Sequence, residues 1–376
     1  MKKVYISVDC GFDKFKVAIN DLCLSFSSKM VDTTDIVNGT NAGIGPNNTY
    51  IRINERIYEF GDSIDYALSL KSNLVKYKEF LETFRNLNRF REESFEISLL
   101  AAIGYSINRY DSKVEPENRI MPNLENIEFF IGIALPHDNL DEWPGIKTFL
   151  MKKHTFELLI GSSLTPFKLD LDFSNAKFLC NSQVIAAFLY QATNAEGLFE
   201  GDNKDLLPCA VIDAGYKTIG LFEIAENLTI NAAESNTDYA MLNIDNLIAE
   251  QVRLKGKSEF HYLQVQHHAR GEGKDIVRSG NEEINVKKIY DDVLTKVAVK
   301  MLDYSERKFS LDDLETLLVT GGTGIAYYPL IKEYMQKNHK GLKVILTDKP
   351  YRSKDKINPM YAIVLGLHKQ LQARYN

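Results

Sequence analysis

Two short segments, each with an aspartate followed two residues later by a glycine, could bind phosphate and a metal ion. They are Asp9-Cys10-Gly11 and Asp213-Ala214-Gly215, and each lies in the turn of a predicted β-hairpin. Glycine allows the backbone to approach phosphate oxygens closely and to point N–H groups at them. Mg²⁺ prefers oxygen ligands and keeps most of its waters, so Asp9 and Asp213 are suited to hold it through water. The pattern predicts two phosphate-binding turns that share one metal ion.

A third glycine loop, Thr320-Gly321-Gly322-Thr323-Gly324, lies between a predicted strand at 316–319 and a predicted helix at 327–336. At such a junction, N–H groups and the helix dipole favour a phosphate or a close-lying adenosine. Lys16, in the strand that leaves the first turn, could reach back to the phosphates as a point charge. Taken singly, each of these signals is more often ordinary turn or connection chemistry. Their order along the chain is what carries the prediction.

The predicted elements place all three loops at strand ends. Alternating apolar residues predict the hairpin strands at 3–8, 14–20, 210–212 and 217–224. A helix is predicted from Ser182 to Ala192, and another from about Pro359 to Leu371. Each half of the chain is therefore predicted to begin with a β-hairpin.

Composition limits the function classes. The chain has 376 residues, of which 44% are apolar, and this is enough to fill the cores of two domains. A net charge of −6 lacks the basic excess that would neutralise many phosphates, so direct nucleic-acid binding is not expected. The four cysteines are scattered, and no apolar run reaches membrane-spanning length. We therefore predict a cytoplasmic protein with reduced thiols and no membrane partner.

Five segments resemble the nucleotide-binding motifs of the actin, sugar kinase and heat-shock chaperone superfamily. Asp9 to Lys16 is similar to the first phosphate motif, D-x-G-x-x-x-x-K, and Asp213 to Thr218 to the second, D-x-G-x-x-T. Leu317 to Thr323 resembles the adenosine motif, and 181–190 and 358–366 resemble the two connecting helices. The nucleotide-binding residues that this resemblance implies are Gly11, Phe12, Asp13, Lys14, Lys16, Ala214, Gly215, Tyr216, Lys217, Thr218, Gly321, Gly322, Thr323 and Gly324.

The resemblance implies an α/β, actin-like fold with two domains, each a mixed sheet flanked by helices. Domain I is predicted at 1–195 with an insertion at about 31–75. Domain II is predicted at 196–376 with an insertion at about 234–285, and an ATP cleft lies between the two domains. Asp9 and Asp213 would then bind Mg²⁺ through water.

Within the superfamily, the chain most resembles the bacterial plasmid-segregation actins of the ParM and actin-like-protein type. Gly61-Asp62 and Ile133-Ala134-Leu135-Pro136 stand where that group has similar short motifs. The resemblance implies an ATPase that forms head-to-tail filaments and moves plasmid DNA through a centromere-binding adaptor protein. The choice between ATP and GTP stays open.

Two loops depart from the family pattern. Phe12 and Asp13 stand where actins often carry a small hydroxyl residue, so an extra acid lies beside the expected phosphate. Tyr216-Lys217 replaces a small pair, and Lys217 either adds a charge near the γ-phosphate or points to solvent.

Gln183, at the start of the first connecting helix, resembles the residue that positions the attacking water in actin. Together with Asp9 and Asp213 it forms the predicted catalytic set, and slow hydrolysis is expected. The alternative reading is an ordinary glutamine on a helix surface. Two other functions remain open at this point: a small-molecule kinase, for which no carboxylate base is evident, and an actin-superfamily ATPase that does not polymerise.

Overall fold

The chain divides into two compact units, each described here by itself. The computed structural model describes residues 1–34, 48–62, 64, 89–161, 166–194, 196–199, 203–257, 260–265, 268–269, 275–279, 281–350 and 356–376. Unit 1 comprises Met1–Leu189, Ala195–Gly197 and Ile363–Asn376, and unit 2 comprises Tyr190–Asn194 and Leu198–Ala362. Residues 35–47, 63 and 65–75 of the first predicted insertion lie outside the described residues.

Unit 1 contains two five-stranded sheets. Its strands are β1 (Lys2–Cys10), β2 (Lys14–Ile19), β3 (Leu22–Ser27), β4 (Met30–Asp32), β5 (Thr49–Ile53), β6 (Arg56–Phe60), β7 (Ile127–Leu135), β8 (Lys153–Ile160), β9 (Pro166–Asp172) and β10 (Lys177–Ser182). The main sheet has the order β10-β7-β1-β2-β3, and the second has the order β4-β6-β5-β8-β9. In the main sheet, β1 is antiparallel to β2 and parallel to β7. The described part of the predicted insertion at 31–75 therefore forms one sheet with the later hairpin β8–β9.

The helices of unit 1 cover the main sheet. They are α1 (Glu93–Asp111), α2 (Trp143–Leu150) and α3 (Gln183–Ala192), with short 3-10 turns at Arg89–Arg91, Pro116–Asn118, Met121–Asn126 and His137–Glu142. Helix α1 packs on β1 and β2 through buried residues such as Leu99 and Ile103. The chain passes from unit 1 to unit 2 within α3.

Unit 2 repeats the topology of the main sheet. Its strands are β11 (Cys209–Ala214), β12 (Ile219–Ile224), β13 (Ile230–Asn236), β14 (Ile276–Ser279), β15 (Glu282–Asn285), β16 (Thr316–Thr320) and β17 (Lys343–Leu346). The order β13-β12-β11-β16-β17 has the same sequence of antiparallel and parallel neighbours as β3-β2-β1-β7-β10. Each unit therefore builds its sheet around the first strand of a predicted hairpin.

The helices of unit 2 flank this sheet. They are α4 (Met241–Leu254), α5 (Tyr262–Val265), α6 (Val286–Lys308) and α7 (Gly322–Asn338), with 3-10 turns at Asn203–Leu206, Leu311–Asp313 and Pro359–Tyr361. Helix α7 begins five residues before the predicted start at Tyr327, so the glycine loop itself forms its first turn. The mixed sheets flanked by helices confirm the predicted α/β fold class. None of the helices in the described ranges combines the length and the hydropathy that a membrane span requires.

The last helix, α8 (Ala362–Tyr375), differs from the predicted boundary of domain II. From Ile363 onward it belongs to unit 1, where Ile363, Leu367 and Leu371 pack with Tyr5 and Phe130 of the main sheet. The physical reason is the apolar face of α8, which covers the side of the sheet that α1 leaves open. The chain thus returns to its first unit at its C-terminal end.

His368 of α8 is buried against this sheet and is 4% exposed. Its Nδ1 lies 3.1 Å from the hydroxyl of Ser7, and its ring meets Tyr5 edge-on. Burial lowers the pKa of His368 from 6.5 to about 4, since the charged imidazolium would lose its hydration. The histidine is therefore neutral in the folded protein at neutral pH.

We predict that His368 destabilises unit 1 in acid. As the pH falls below 6.5, His368 becomes protonated in the unfolded chain, whereas in the folded chain it stays neutral until the pH approaches 4. The free energy of unfolding therefore decreases across this interval. The loss approaches about 3 kcal/mol, the equivalent of the pKa difference. Urea unfolding of the parent and of His368→Gln, which keeps a hydrogen-bonding side chain without titrating, should show curves that diverge from pH 7 to pH 4.5. Parallel pH dependences would contradict this expectation.

Candidate functional site

The carboxylate of Asp9 is the centre of the site in unit 1. Asp9 is the next-to-last residue of the central strand β1, is fully buried and lies opposite Lys16 in the hairpin register. Its Oδ2 lies 3.1 Å from Nζ of Lys16, and its Oδ1 accepts a hydrogen bond of 2.7 Å from Nε2 of Gln183. A buried carboxylate requires such partners, because its desolvation is otherwise costly. Three of the predicted site residues are therefore brought together.

Strand register explains how Gln183 reaches Asp9. In the parallel ladder, Asp9 pairs with Ala134 of β7, and Ala134 pairs with Asn181 of β10. Helix α3 begins directly after β10, so its first residue lies at the same sheet edge as Asp9. Gln183 is half-buried and bonded to the carboxylate. The side chain of Gln183 is therefore held by Asp9, and its role in hydrolysis stays a prediction.

Gly11 keeps the first turn tight. A Cβ at this position would lie 2.4 Å from the carbonyl oxygen of Lys14 and 2.9 Å from Nζ of Lys16. No other residue fits, because real Cβ contacts are not this short. Glycine at this position therefore lets the turn fold tightly against Lys14 and Lys16.

Asp13, the unexpected acid of this turn, forms an ion pair. Its Oδ1 lies 3.0 Å from Nζ of Lys29, which is 7% exposed. The backbone N–H of Ser28 also donates to the carbonyl of Asp13 over 2.8 Å. The negative charge is therefore balanced within unit 1. Sequence reasoning missed Lys29, since a single lysine between two short strands carries no motif.

Lys14 contacts the Gly61-Asp62 motif. Its Nζ lies 3.5 Å from Oδ1 of Asp62, an oxygen that also accepts from the backbone N–H of Ser27. Both side chains of the pair are partly exposed, so the pair itself contributes little stability. Its effect is to tie the end of β6 to the turn between β1 and β2.

In unit 2, Asp213 lies near the end of β11 and the second turn follows it. The N–H of Gly215 donates to the carbonyl of Thr218 over 2.9 Å, which closes the turn. The hydroxyl of Thr323 donates to the carbonyl of Gly215 over 2.8 Å. The second phosphate motif and the adenosine motif are therefore in direct contact.

Gly321 is the point of closest approach between these loops. Its backbone has φ of 84° and ψ of 165°, a conformation that residues with a Cβ avoid. A Cβ there would lie 2.3 Å from the carbonyl oxygen of Ala214 and 3.0 Å from Oδ1 of Asp213. Glycine at this position allows β11 and β16 to end side by side, with Asp213 paired to Thr320.

Helix α7 begins at Gly322, so the N–H groups of Gly322, Thr323 and Gly324 form its first turn. These groups have no partner within the helix and carry the positive end of its dipole. The helix has 17 residues, which is long enough for a developed dipole. The arrangement suits a phosphate or a nucleoside, as the sequence predicts.

Tyr216 and Lys217 fill the turn that follows Gly215. Both are half-buried, and the Nζ of Lys217 is buried rather than in open solvent. The carbonyl of Tyr216 accepts from the N–H of Leu242 in α4 over 2.7 Å. The γ-phosphate role of Lys217 stays a prediction.

Each unit, taken by itself, offers a single carboxylate that could bind the water shell of a magnesium ion. Within the described ranges, no group of three or more histidine, cysteine, aspartate or glutamate side chains is placed to hold an ion. Asp9 and Asp213 each present a carboxylate at a strand end beside a glycine turn. Water-mediated binding requires only such single carboxylates.

Comparison with solved structures identifies the fold. Actin-like protein Alp7A matches with a TM-score of 0.68 and 15% identity, covering 99% of this chain and 97% of its own. A 15-stranded ParM filament from Clostridium botulinum matches with a TM-score of 0.64, 16% identity and 100% coverage of both chains. An archaeal actin homolog, Ta0583, in complex with ADP matches with a TM-score of 0.62 and 12% identity, covering 98% of both chains.

No protein-family model and no curated protein matches the sequence. The likeness to solved structures spans the chain at low identity, so it establishes the fold. The protein has the actin-like fold, with the two Asp-x-Gly hairpins and the glycine loop at the strand ends of its sheets. Among its structural neighbours are ParM, Alp7A and Alp12 proteins, which confirms the predicted resemblance.

The contact at Gly321 generates a paired prediction. Gly321→Ala should destabilise unit 2 by about 2 kcal/mol or more, because it adds both a steric clash and a forbidden backbone conformation. Gly322→Ala is the matched control, since a Cβ there meets no atom within 4 Å. It should change stability by less than about 1 kcal/mol. Urea unfolding of both variants measures the difference, and equal effects would refute the close-approach account.

Proposed function

We propose that this protein binds Mg-ATP with both phosphate hairpins, assembles head to tail into filaments and disassembles after hydrolysis. One observation carries the proposal: each unit folds its hairpin at the same sheet position, with the aspartate at the strand end. A nucleotide that contacts two units favours the arrangement in which it touches both. The neighbours described as ParM and Alp12 filaments support assembly as the outcome.

In this proposal, Asp9 and Asp213 hold Mg²⁺ through its waters, and the ion neutralises charge on the phosphates. The turns at Gly11 and Gly215 bind phosphate oxygens through backbone N–H groups. Lys14, Lys16 and Lys217 add positive charge, and Gly321 to Gly324 bind the adenosine side. The ADP complex of the archaeal actin homolog supports a nucleotide ligand.

Gln183 is the proposed water-positioning residue. A carboxylate only accepts hydrogen bonds, so the contact with Asp9 requires the amide nitrogen of Gln183 to face that oxygen. The amide oxygen then remains as an acceptor for a proton of the attacking water. A neutral amide orients water without removing its proton, so slow hydrolysis is expected.

The proposed cellular role is plasmid DNA segregation through a centromere-binding adaptor protein. The resemblance of the motifs to plasmid-segregation actins supports this role. The net charge of −6 favours contact with DNA through an adaptor over direct binding. A cytoplasmic location follows from the same proposal.

Gln183→Ala should slow ATP hydrolysis by about 10- to 1000-fold, the contribution expected of a positioning group. ATP binding should persist, and the filaments of the variant should outlast those of the parent. Gln370→Ala provides the control, because that glutamine bonds to Asn181 instead of Asp9. Phosphate release and turbidity decay measure both effects. Parental rates in the Gln183 variant would remove this residue from the mechanism.

Assembly separates the proposal from its rivals. A head-to-tail contact that does not close into a ring propagates, so polymer should appear above a critical concentration. Sedimentation and light scattering over micromolar protein should detect polymer with Mg-ATP and a longer-lived polymer with a non-hydrolysable analogue. Omitting nucleotide or chelating Mg²⁺ should abolish it. ATP binding without polymer would favour a non-polymerising ATPase, and phosphorylation of a small molecule would favour a kinase.

A further inference from the structure

Arg89 lies buried next to the first phosphate hairpin. It begins the 3-10 turn that precedes α1 and is 2% exposed, one of the largest fully buried side chains. In the described part of the chain, its guanidinium forms no salt bridge. An arginine that is buried without a carboxylate is unfavourable unless other groups compensate its charge. No role of unit 1 considered so far requires such a group.

The contacts of Arg89 converge on the turn. Its Nη2 donates to the carbonyl of Cys10, the residue between Asp9 and Gly11. The guanidinium carbon lies 4.1 Å from the centre of the Phe12 ring, with Phe90 at 5.1 Å and Phe95 at 5.8 Å. Three aromatic rings thus surround the cation, and the closest belongs to the phosphate turn itself. Cation–π attraction strengthens in such a desolvated site.

This compensation is incomplete. The Nε and Nη1 atoms of Arg89 are buried and have no hydrogen-bond partner among the residues that the structure describes. Burial lowers the pKa of Arg89 to about 10, which is still well above neutral pH, so the side chain remains charged. A positive charge with unused donors therefore lies against the turn that carries Asp9, Gly11 and Phe12. Additional negative charge near this turn would be stabilised by it.

The opposite side of the turn is anchored separately. The hydroxyl of Ser28 donates to the carbonyl of Phe12 over 2.5 Å, and Lys29 pairs with Asp13. Together with Arg89, these contacts hold the carbonyl groups of Cys10 and Phe12 and the carboxylate of Asp13. The course of the turn is thus set by neighbouring side chains before any ligand binds, which lowers the ordering cost of binding.

We propose that Arg89 is a positioning residue that sets the affinity of the first turn for phosphate groups. It acts through Cys10 and Phe12 and through the field of its undercompensated charge, without touching the nucleotide. This inference rests on the proposed nucleotide function. It explains why Phe12 stands where related proteins carry a small hydroxyl residue: its ring covers the cation.

The proposal predicts opposite effects on stability and on binding. Arg89→Met removes a poorly compensated buried charge, so the melting temperature without ligand should be unchanged or higher. The Kd for Mg-ATP should rise about tenfold, while the Kd for adenosine should stay within twofold of the parent. A residue with only a structural role would lower the melting temperature and affect both ligands alike.

Arg91→Met is the matched control. Arg91 lies in the same 3-10 turn, but its side chain is 71% exposed and pairs with Glu142. This variant should keep the parental Kd for Mg-ATP and for adenosine. Isothermal titration with Mg-ATP, Mg-ADP and adenosine, and thermal unfolding without ligand, supply all the measurements.

The measurements distinguish a failure of the proposed function from a failure of the proposed role of Arg89. A parent protein that binds no Mg-ATP would refute the proposed function, whereas normal Mg-ATP binding by Arg89→Met would refute only the role of Arg89. If Arg89→Met does not fold, Phe12→Leu tests the role of Arg89 instead. This variant keeps the Arg89 cation and removes the aromatic ring closest to it. Its Kd for Mg-ATP should rise about threefold with adenosine binding unchanged. Equal losses for both ligands would overturn the proposal.

Discussion

The first unit depends on the contacts of one buried carboxylate, that of Asp9. It is fully buried at the end of the central strand, so its charge must be met by groups that the fold delivers. Lys16 meets it from the adjacent strand, and Gln183 from the first turn of α3. Hairpin, parallel sheet and connecting helix are therefore tied together at one carboxylate, and any shift in strand register would break its two contacts.

The second unit stabilises its hairpin turn through a different kind of contact. Its loops are joined by backbone and hydroxyl groups: Gly215 to Thr218, Thr323 to Gly215, and Gly321 against Ala214. The first unit instead holds its turn with the cations Lys16, Lys29 and Arg89. One sheet topology therefore supports a turn stabilised mainly by charge and another stabilised mainly by close packing.

Local patterns allowed much of this fold to be predicted from the sequence. Both hairpins, the start of α3 and the strand before Gly321 follow from alternation and from glycine placement. The path of α8 could not be predicted in this way, because an apolar helix face does not specify which sheet it covers. The partnership of β5 with β8 was also hidden, since the paired residues are about 100 positions apart.

The sequence also predicted only part of the candidate site. Asp9, Gly11 and Asp213 belong to motifs with fixed spacing and could be found directly. Lys29 and Arg89 act on the first turn from distant positions and have no spacing of their own. The departure at Phe12-Asp13 was the available signal, because a partly buried acid favours a nearby cation and an aromatic ring can pack against one.

The repeated topology also indicates why the two units would differ in their chemistry. In unit 1, the fifth strand of the sheet is β10, and Gln183 follows it and contacts Asp9. In unit 2, the equivalent strand is β17, and it is followed by Thr347, whose hydroxyl donates to that of Thr320 over 2.9 Å. Both threonines are fully buried, so the hydrogen bond between their hydroxyl groups lies inside unit 2. At the equivalent strand end of unit 1, the described residues instead place a neutral amide, that of Gln183, against the aspartate, so the same topology ends in two different polar arrangements.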